Sequence, residues 1–397
     1  MRISIILRNI LNLYMVSYII YKSQLFYTYK FLLITKYLPS IFAAFLMLFS
    51  FFIFFKNKSH NPILSKLNFF YAAIIILIFL FLFNSELTFL NLFLNLRVPL
   101  IILSVFSIYN YLDVKLISSL RKSFFFFLIL NGLVSLAYNI DLFSYFENSN
   151  RLRLSFGFVK PSYFCELIFI NLILIYIDFN YNQNSKKSIA FIQTLILFFF
   201  IYLSNTRAAF ITILVFSFLY LFKRAKRLKK FALIIFSLIF VISLGNLSYD
   251  FFTSYDSGRL LIWANNLSLN LKTSNDYIFG TGYGNAVSFV DLNNLRYNED
   301  IGSQFHSDSF YIDTIVQQGF LGLFLYFILL YKLMRLSKGL KDYKLILISL
   351  LAYGLFESVI INITTPFGYM SWIFIIYLIK ACINSENNNI RLNSHFA

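Results

Sequence analysis

Long apolar runs recur from one end of the chain to the other, and short polar segments separate them. Each run is close to the roughly 20 residues that an α-helix needs to cross a bilayer. The runs do not alternate between apolar and polar residues, as strands of a membrane barrel do. The pattern predicts spans at 38–55, 67–84, 94–112, 123–140, 161–179, 188–204, 207–222, 231–247, 309–331, 345–362 and 367–380, with 3–21 as a further candidate.

These spans make the chain an all-α polytopic membrane protein with 11–12 transmembrane helices and one large polar loop. We divide it into N-terminal transmembrane helices over 1–247, the polar loop over 248–308, and C-terminal transmembrane helices with a tail over 309–397. Connections of that length between packed helices are uncommon and usually functional. The sequence therefore directs attention to residues 248–308.

Composition supports the membrane class. Hydrophobic residues make up 59% of the chain and charged residues only 13%, whereas a soluble domain carries about 25% charged residues. No small-residue cleavage site follows a short apolar stretch near the N-terminus, so we predict no removable signal peptide. Its two cysteines, Cys165 and Cys382, predict neither a disulfide nor a metal site.

The net charge of +17 could indicate nucleic-acid binding, but its distribution indicates membrane topology instead. Basic residues cluster on every second connection, and positive charge is retained on the cytoplasmic side of a membrane. The clusters are Lys56, Lys58 and Lys66; Lys115, Arg121 and Lys122; Lys186 and Lys187; six residues within 223–230; and Lys332, Arg335, Lys338, Lys341 and Lys344. We therefore expect no nucleic-acid partner.

The segment 22–37 conflicts with this pattern. If residues 3–21 span the membrane, Lys22, Lys30 and Lys36 fall on the side opposite to the other clusters. The sequence leaves open whether 3–21 is a span.

Four ionisable residues lie near the outer ends of predicted spans, where burial of charge is costly and marks functional candidates. Arg207 opens a span, and Glu166, Asp313 and Glu357 each lie about 5 residues inside one, which is roughly 7–8 Å at 1.5 Å per residue. Their shared depth predicts one polar cavity open to the outer leaflet. The alternative is that each is a snorkelling or paired structural charge. Asp113 and Asp178 lie at the inner ends of predicted spans, and we interpret them as boundary residues.

Basic and titratable residues on the outer connections suggest chemistry. The guanidinium of Arg207, with Arg259 and Arg151/Arg153 nearby on the same side, suits the oxygens of a diphosphate leaving group. His306 lies where the long loop re-enters the membrane, and an imidazole suits a general base near neutral pH. Asp313 follows seven residues later and could orient that ring. The alternative for His306 is a helix-start residue with ordinary polar contacts.

The glycines of Gly280-Thr281-Gly282-Tyr283-Gly284 resemble two known loops. A dinucleotide-binding loop requires a strand–turn–helix pattern, and a potassium-channel filter requires a preceding pore helix. Neither pattern surrounds this segment, so we predict a tight turn in the outer loop.

Taken in order, five segments resemble the O-antigen polymerase/ligase family (Wzy and WaaL types). They are an Arg…Gly-Phe…Pro segment over 151–161, a Ser-x-(Ser/Thr)-Arg turn over 204–207, an Arg-x-x-x-Trp segment over 259–263, a Gly-x-Gly-x-Gly segment over 280–284, and a His-Asn-x-(Tyr/Phe)-like motif over 306–309 followed by Gly319 and Gly322. The resemblance covers residues 151–335, and the flanking spans agree only in hydropathy. The chain departs from the pattern at Ser307, where the family often has Asn.

The resemblance implies a glycosyl transfer that needs no metal or other cofactor, at the periplasmic face of the bacterial inner membrane. An undecaprenyl-diphosphate-linked oligosaccharide would be the donor, Arg207 and Arg259 would engage its diphosphate, and His306 would activate the acceptor hydroxyl. Further candidates for substrate binding are Arg151, Arg153, Glu166, Asp313 and Glu357. The implied partners are membrane lipid, a chain-length regulator and a flippase.

Within the family, we favour a polymerase over a ligase that moves finished polysaccharide onto lipid A core, because polymerases are the more numerous and divergent group. The loop motifs do not separate the two. A flippase or other transporter would show inverted repeats and polar residues near the membrane midplane, and the sequence shows neither. A purely structural membrane subunit is the third alternative, and the long acidic loop with its single histidine argues against it.

Overall fold

The computed structural model describes residues 2–25, 37–56, 100, 103–146, 151–182, 187–204, 206, 209, 211–217, 259–282, 286, 307, 309–336, 341–355, 357–358 and 366–394. The chain forms two compact units. Unit 1 comprises Met1–Pro62, Leu100–Ile213 and Asn362–Ala381, and unit 2 comprises Ile63–Pro99, Leu214–Ile361 and Cys382–Ala397. The predicted spans 67–84 and 231–247 lie outside the described residues, and those at 94–112 and 207–222 are described only in part.

The longer elements of the described residues are helical, with one small hairpin. In chain order they are α1 (Arg2–Lys22), α2 (Leu38–Lys56), α3 (Val114–Ala137), β1 (Phe143–Phe146), β2 (Arg151–Leu154), α4 (Pro161–Tyr181), α5 (Lys187–Ser204), α6 (Arg259–Asn270), α7 (Ser274–Phe279), α8 (Phe310–Leu336), α9 (Lys341–Gly354) and α10 (Pro366–Ser394).

Five of these helices are long and apolar enough to cross a membrane, namely Ile3–Lys22, Val114–Ala137, Pro161–Tyr181, Lys187–Ser204 and Phe310–Arg335. Leu38–Ile53 and Pro366–Ala381 are shorter apolar helices. The predicted class, an all-α polytopic membrane protein, is confirmed. The first of the five, Ile3–Lys22, shows that the segment 3–21, which the sequence left open, has the length and composition of a membrane span.

In unit 1, α4 is the central helix. Helix α1 packs on α2 and α3, α3 packs on α4, and α4 packs on α5. Nearly every residue of α4 from Phe164 to Asp178 is buried, which explains why its sequence is apolar all round rather than on one stripe. The rings of Phe169 and Phe367 stack with centroids 6.0 Å apart, so the beginning of α10 also packs against this helix.

Helix α3 begins nine residues earlier than the apolar run predicted. Its start is set by Asp113, whose side chain accepts a hydrogen bond of 2.7 Å from the Leu116 N–H, as N-terminal caps do. The prediction that Asp113 is a boundary residue is confirmed. Lys115, Arg121 and Lys122 were placed in a loop, and that was wrong, because they lie in the first turns of the helix.

Arg121 is tolerated within α3 because it forms a buried ion pair. Its Nε lies 3.2 Å from Oδ2 of Asp178, and both side chains are almost fully buried. Asp178 is thus more than the boundary residue that the sequence suggested. The pair joins the start of α3 to the end of α4, so the two helices run antiparallel.

A short hairpin and the segment after it connect α3 to α4. Strands β1 and β2 are antiparallel, with Phe143 opposite Leu154 and Phe146 opposite Arg151. The chain then reverses through Phe156 and Gly157, which both have positive φ, and a Cβ on Gly157 would overlap the side chain of Ser135. This hairpin adds β structure to a mainly helical unit.

In unit 2, the predicted long loop contains two helices, α6 and α7. Both pack on α8, which bends sharply at Gly319. Helix α9 packs on α8 and ends at Gly354. The predicted span 345–362 was therefore wrong at Leu355, Glu357 and Ser358, which lie beyond the helix rather than inside it.

The ion pair between Arg121 and Asp178 gives the first prediction. The substitution Arg121→Met leaves a buried carboxylate without its cation, which costs roughly 3–5 kcal/mol of stability, whereas the double variant Arg121→Met/Asp178→Leu recovers most of the loss. Thermal unfolding of the purified protein in detergent measures both. The exposed neighbour Lys122, changed to Met, is the control and should shift stability by less than about 0.5 kcal/mol. Equal losses for Arg121→Met and Lys122→Met would contradict the assignment.

Candidate functional site

Asp313 is the centre of a buried polar cluster in unit 2. It lies in the first turn of α8 and is only 4% exposed. Its Oδ1 accepts hydrogen bonds from the Ser307 N–H at 2.8 Å and from the Ser307 hydroxyl at 2.6 Å. Its Oδ2 accepts a hydrogen bond from the Ser358 hydroxyl. The carboxylate thus holds the residue that directly follows His306 in the sequence.

Trp263 holds the same serine from another direction. Its indole Nε1 donates a hydrogen bond of 3.0 Å to the Ser307 carbonyl oxygen. Trp263 lies in α6, which begins at Arg259, and four residues correspond to about one helical turn. The backbone N–H, the carbonyl and the hydroxyl of Ser307 are therefore all engaged, and the helix that fixes them starts at the predicted diphosphate ligand Arg259.

The glycine segment docks onto the bend in α8. The N–H of Thr281 donates to the Val316 carbonyl at 2.8 Å, and the N–H of Gly282 donates to the Gln317 carbonyl at 3.1 Å. In an uninterrupted helix these carbonyls would bond amides four residues later. The bend at Gly319, with φ 68° and ψ −178°, frees them for the loop. Thr281 and Gly282 therefore fix this segment to α8, and the rest of the predicted turn lies outside the described residues.

The start of α7 carries its own cap. The Thr273 hydroxyl accepts from the Asp276 N–H, and the Asp276 carboxylate accepts from the Thr273 N–H, which is a capping box. Burial on its own would raise the pKa of Asp276, but the hydrogen bonds from Thr273 and Lys272 lower it below its ordinary value. The carboxylate is ionised at neutral pH, so the cap that positions the glycine segment is charged.

Glu357 lies outside a helix and directly precedes Ser358, which belongs to the Asp313 cluster. Its N–H donates to the Tyr353 carbonyl at 3.1 Å, and the next residue is Ser358, which bonds Asp313. The Tyr311 hydroxyl donates to the Leu351 carbonyl at 2.9 Å and so joins α8 to the end of α9. The helix ends at Gly354, and in the segment that follows, the Ser358 hydroxyl donates a hydrogen bond to Asp313.

Glu166 lies in unit 1, where the sequence placed it, about five residues into α4. Its side chain is 7% exposed, and the Tyr18 hydroxyl on α1 donates to Oε2 at 3.2 Å. A carboxylate in this position needs such a donor because no bulk water reaches it. Glu166 therefore belongs to a polar contact between α1 and α4.

The turn before Arg207 is anchored one residue from Glu166. The sulfur of Cys165 lies 2.9 Å from the Ser204 hydroxyl and 2.6 Å from the Thr206 hydroxyl, and the two hydroxyls lie 3.1 Å apart. Ser204 and Thr206 belong to the Ser-x-(Ser/Thr)-Arg motif. These contacts explain the motif's two hydroxyl positions, because both fix the turn to the first third of α4.

Arg151 and Arg153 lie on β2. Arg153 is opposite Ser144 in the hairpin, and Arg151 is opposite Phe146. Strand β2 packs on α5 within unit 1, and the Arg153 side chain is partly buried. The hairpin thus presents both arginines on a strand rather than in an irregular loop.

The structure brings together part of what the sequence predicted. Asp313 acts on Ser307, and Ser204 and Thr206, which precede Arg207, contact Cys165 on the helix of Glu166. Arg207, His306 and the side chains of Arg151 and Arg259 lie outside the described residues, so their predicted roles stay predictions. Sequence reasoning missed Tyr18, Cys165 and Ser358, and it quoted Trp263 only as part of a motif. An uncharged hydrogen-bond donor inside an apolar run is hard to recognise from the sequence when its acceptor lies elsewhere in the chain.

The fold and these polar clusters define a multi-pass membrane protein with a helix-bearing connection fastened to a bent membrane helix. Residues 192–327 match the family model described as O-antigen ligase (Wzy_C). The match confirms the Wzy/WaaL-type family that the motifs indicated, and it covers the positions of Arg207, Arg259, His306 and Asp313. No curated protein matches the chain.

The docking of the glycine segment gives the second prediction. A Cβ on Gly319 would overlap the Ile278 carbonyl, and φ is positive there, so Gly319→Ala should release residues 278–282 from α8. Hydrogen exchange of the Thr281 and Gly282 amides should accelerate by at least about tenfold, since each 1.4 kcal/mol of lost protection is a factor of ten. Gly354→Ala at the end of α9 is the control, because the nearest atom to an added Cβ there is the Phe310 Cβ at 3.3 Å, which needs only a small adjustment. Unchanged exchange in Gly319→Ala would refute the docking.

Proposed function

We propose that the protein is a polysaccharide polymerase that joins lipid-linked repeat units at the periplasmic face of the bacterial inner membrane. An acceptor hydroxyl on one lipid-linked repeat attacks the anomeric carbon of another chain. The bond between that carbon and the phosphate oxygen breaks, and undecaprenyl diphosphate leaves. The family match over 192–327 supports this class of reaction, because the candidate residues His306, Arg207 and Arg259 all fall inside the matched segment.

The observation that carries the proposal is the fixation of Ser307. Asp313 accepts two hydrogen bonds from this residue and Trp263 donates a third, so the backbone next to His306 has little freedom. A general base must be held within hydrogen-bond reach of the proton that it removes. In the proposed mechanism, the His306 imidazole takes the proton of the acceptor hydroxyl as the new glycosidic bond forms.

The departing diphosphate needs positive charge. We assign this to Arg207 and Arg259, because a guanidinium binds phosphate oxygens in a bidentate way and stays charged at every relevant pH. Charge that is in place before the reaction stabilises the developing anion without reorganisation. The contact of Thr206, the residue before Arg207, with Cys165 and the position of Arg259 at the start of α6 support this assignment.

In this proposal Arg151, Arg153, Glu166, Asp313 and Glu357 contribute to substrate binding and to its support. Asp313 supports His306 through Ser307. Glu166 is held by the Tyr18 hydroxyl and lies next to Cys165, which contacts Ser204 and Thr206. The lipid-linked oligosaccharide is the substrate, and a chain-length regulator and a flippase are the proposed partner proteins.

A ligase is the second candidate, because the matching family is described as O-antigen ligase. The two enzymes use the same kind of donor and differ in the acceptor. A polymerase elongates another lipid-linked repeat, whereas a ligase transfers the finished polymer to the lipid A core.

The third prediction concerns the candidate catalytic residues. Complementation of a deletion strain with Arg207→Ala, Arg259→Ala or His306→Ala should abolish long surface glycan, because oxyanion-type and acid–base contributions are each worth about a hundredfold or more in rate. Glycan electrophoresis is the measurement, with protein expression verified. Single-repeat glycan indicates a polymerase, and absent glycan indicates a ligase.

Arg335 provides the matched control for this experiment. It is an exposed arginine at the end of α8, where its Nε contacts the Tyr331 hydroxyl. Arg335→Ala should leave a full glycan ladder. Full ladders from all three of the other variants would reject the proposed site.

The fourth prediction concerns Asp313. Asp313→Ala removes the acceptor for the Ser307 N–H, the Ser307 hydroxyl and the Ser358 hydroxyl, and it should lower glycan synthesis by at least about tenfold, since a buried donor left unsatisfied costs about 1–3 kcal/mol. Ser358→Ala should have a smaller effect. Rates are measured with purified protein and lipid-linked repeats.

Thr314 is the control for Asp313. Its hydroxyl bonds the Phe310 carbonyl of its own helix at 2.6 Å, so Thr314→Val removes a buried hydroxyl next to Asp313 without affecting Ser307. An equal loss of activity in Thr314→Val and Asp313→Ala would show that any disturbance of this turn has the same effect, which would contradict the specific role of Asp313.

A further inference from the structure

Lys22 is a buried cation that the mechanism above does not use. It is the last residue of α1 and is only 8% exposed. Its ammonium group lies over three tyrosine rings, at 4.2 Å from the centroid of Tyr163, 4.5 Å from that of Tyr21 and 5.8 Å from that of Tyr18. Aromatic faces attract a cation but accept no strong hydrogen bond from it. The rings therefore hold the ammonium group in place while its three N–H groups can still donate hydrogen bonds.

No carboxylate among the described residues neutralises this ammonium directly. Glu166 is the neighbouring acid, and it interacts with Lys22 electrostatically. The two groups do not approach to the 4.0 Å that defines an ion pair, as Arg121 and Asp178 do. Burial of an ammonium is costly unless an anion and hydrogen-bond acceptors compensate it. Within the described part of the chain, no anion is therefore in direct contact with the ammonium of Lys22.

A second cation lies at the same tyrosine. The ammonium of Lys160 is 5.9 Å from the centroid of the Tyr163 ring, and Lys160 directly precedes α4. Among the described residues, Tyr163 thus has the ammonium groups of both Lys22 and Lys160 near its ring. Two ammonium groups at one ring favour a ligand with negative charge and several acceptor oxygens.

The fold holds these groups at a helix end that coincides with the end of a candidate span. The membrane-length helix Ile3–Lys22 ends at Lys22, and the span Pro161–Tyr181 begins directly after Lys160. The Val159 N–H donates to the Lys22 carbonyl at 3.1 Å, and Ser23 pairs with Phe158 in an isolated β-bridge. Both lysines therefore lie at a boundary between the apolar span and the lipid headgroup region, which is the depth of lipid phosphates.

We propose that Lys22, with Lys160 beside it, forms a phosphate-binding site for a polyprenyl phosphate lipid. The ammonium of Lys22 donates to phosphate oxygens, the tyrosine rings fix it in place, and Glu166 limits the affinity so that the lipid can leave. The phosphate chemistry stands on the contacts alone, whereas the choice of a polyprenyl carrier rests on the proposed function. Both lysines lie outside the matched segment 192–327, so this site is additional to Arg207 and Arg259.

The fifth prediction tests this site by binding, without turnover. Full-length protein in phosphatidylcholine nanodiscs is titrated with undecaprenyl diphosphate and, separately, with undecaprenol, which has no phosphate. Lys22→Met keeps an unbranched apolar side chain but removes the charge. It should weaken binding of the diphosphate by about tenfold, as loss of a charged hydrogen bond does, and leave binding of undecaprenol unchanged. Lys22→Arg keeps the charge and should bind the diphosphate nearly as wild type does.

Lys332, an exposed lysine in α8, is the control, and Lys332→Met should bind both lipids as wild type does. If Lys22→Met does not purify as a monodisperse protein, the exposed Lys160 is changed to Met and a smaller loss, about threefold, is expected. Unchanged diphosphate affinity in Lys22→Met would overturn the site. An equal loss for undecaprenol would also overturn it, because the effect would then not depend on phosphate.

Phosphatidylglycerol distinguishes the two sources of a lipid phosphate. If it competes with undecaprenyl diphosphate at equal concentration and depends equally on Lys22, the occupant is a bulk headgroup and the polyprenyl assignment is overturned. Failure of the proposed function is separable, because His306→Ala should bind undecaprenyl diphosphate as wild type does. Loss of binding in Lys22→Met, together with normal glycan in His306→Ala, would leave the phosphate site and remove only the catalytic proposal.

Discussion

Polar groups inside a bilayer have no water to bind, and each one left without a partner costs several kcal/mol. This constraint explains most of the specific contacts in both units. Arg121 is paired with Asp178, and the Val316 and Gln317 carbonyls freed by the bend at Gly319 accept from Thr281 and Gly282. Asp313 accepts from two serines. A polar group on an apolar helix is thus paired with a polar group from another segment of the same unit.

The same constraint positions the segments that the proposed mechanism uses. The glycine segment is fastened to α8 because the bent helix offers unused carbonyls, and Trp263 is directed to the one serine that Asp313 already holds. These contacts would also hold the backbone of a catalytic histidine next to that serine, without requiring the rest of the loop to be rigid. In unit 1, the Cys165 contacts do the same for the turn before Arg207. Fixed supports of this kind favour electrostatic catalysis, in which charged groups are in place before the reaction starts.

Lys22 shows how one residue can be misjudged from charge alone. As a loop lysine it contradicted the topology that all other basic clusters indicated. In the structure it is buried among tyrosine rings at the end of α1, so it is not a free loop charge of the kind that the positive-inside rule counts. The conflict over residues 3–21 is therefore weaker than the sequence suggested, and a buried cation without a directly bound anion becomes a candidate for function.

The sequence by itself determined the membrane class, the positions of most long helices and the family, because span length and hydropathy are local properties and the family motifs are short and ordered. It also located Asp113 as a helix boundary and Glu166 about one and a half turns inside its helix, whereas Asp313 lies in the first turn of α8. It placed the start of α3 too late and extended the span after Lys344 too far, because a cap and a helix break depend on single polar residues within apolar surroundings. Only the tertiary structure decided which polar groups meet: Arg121 with Asp178, Trp263 and Asp313 with Ser307, and Tyr18 with Glu166. Such pairs join residues up to 148 positions apart, and no local pattern encodes a partner at that distance.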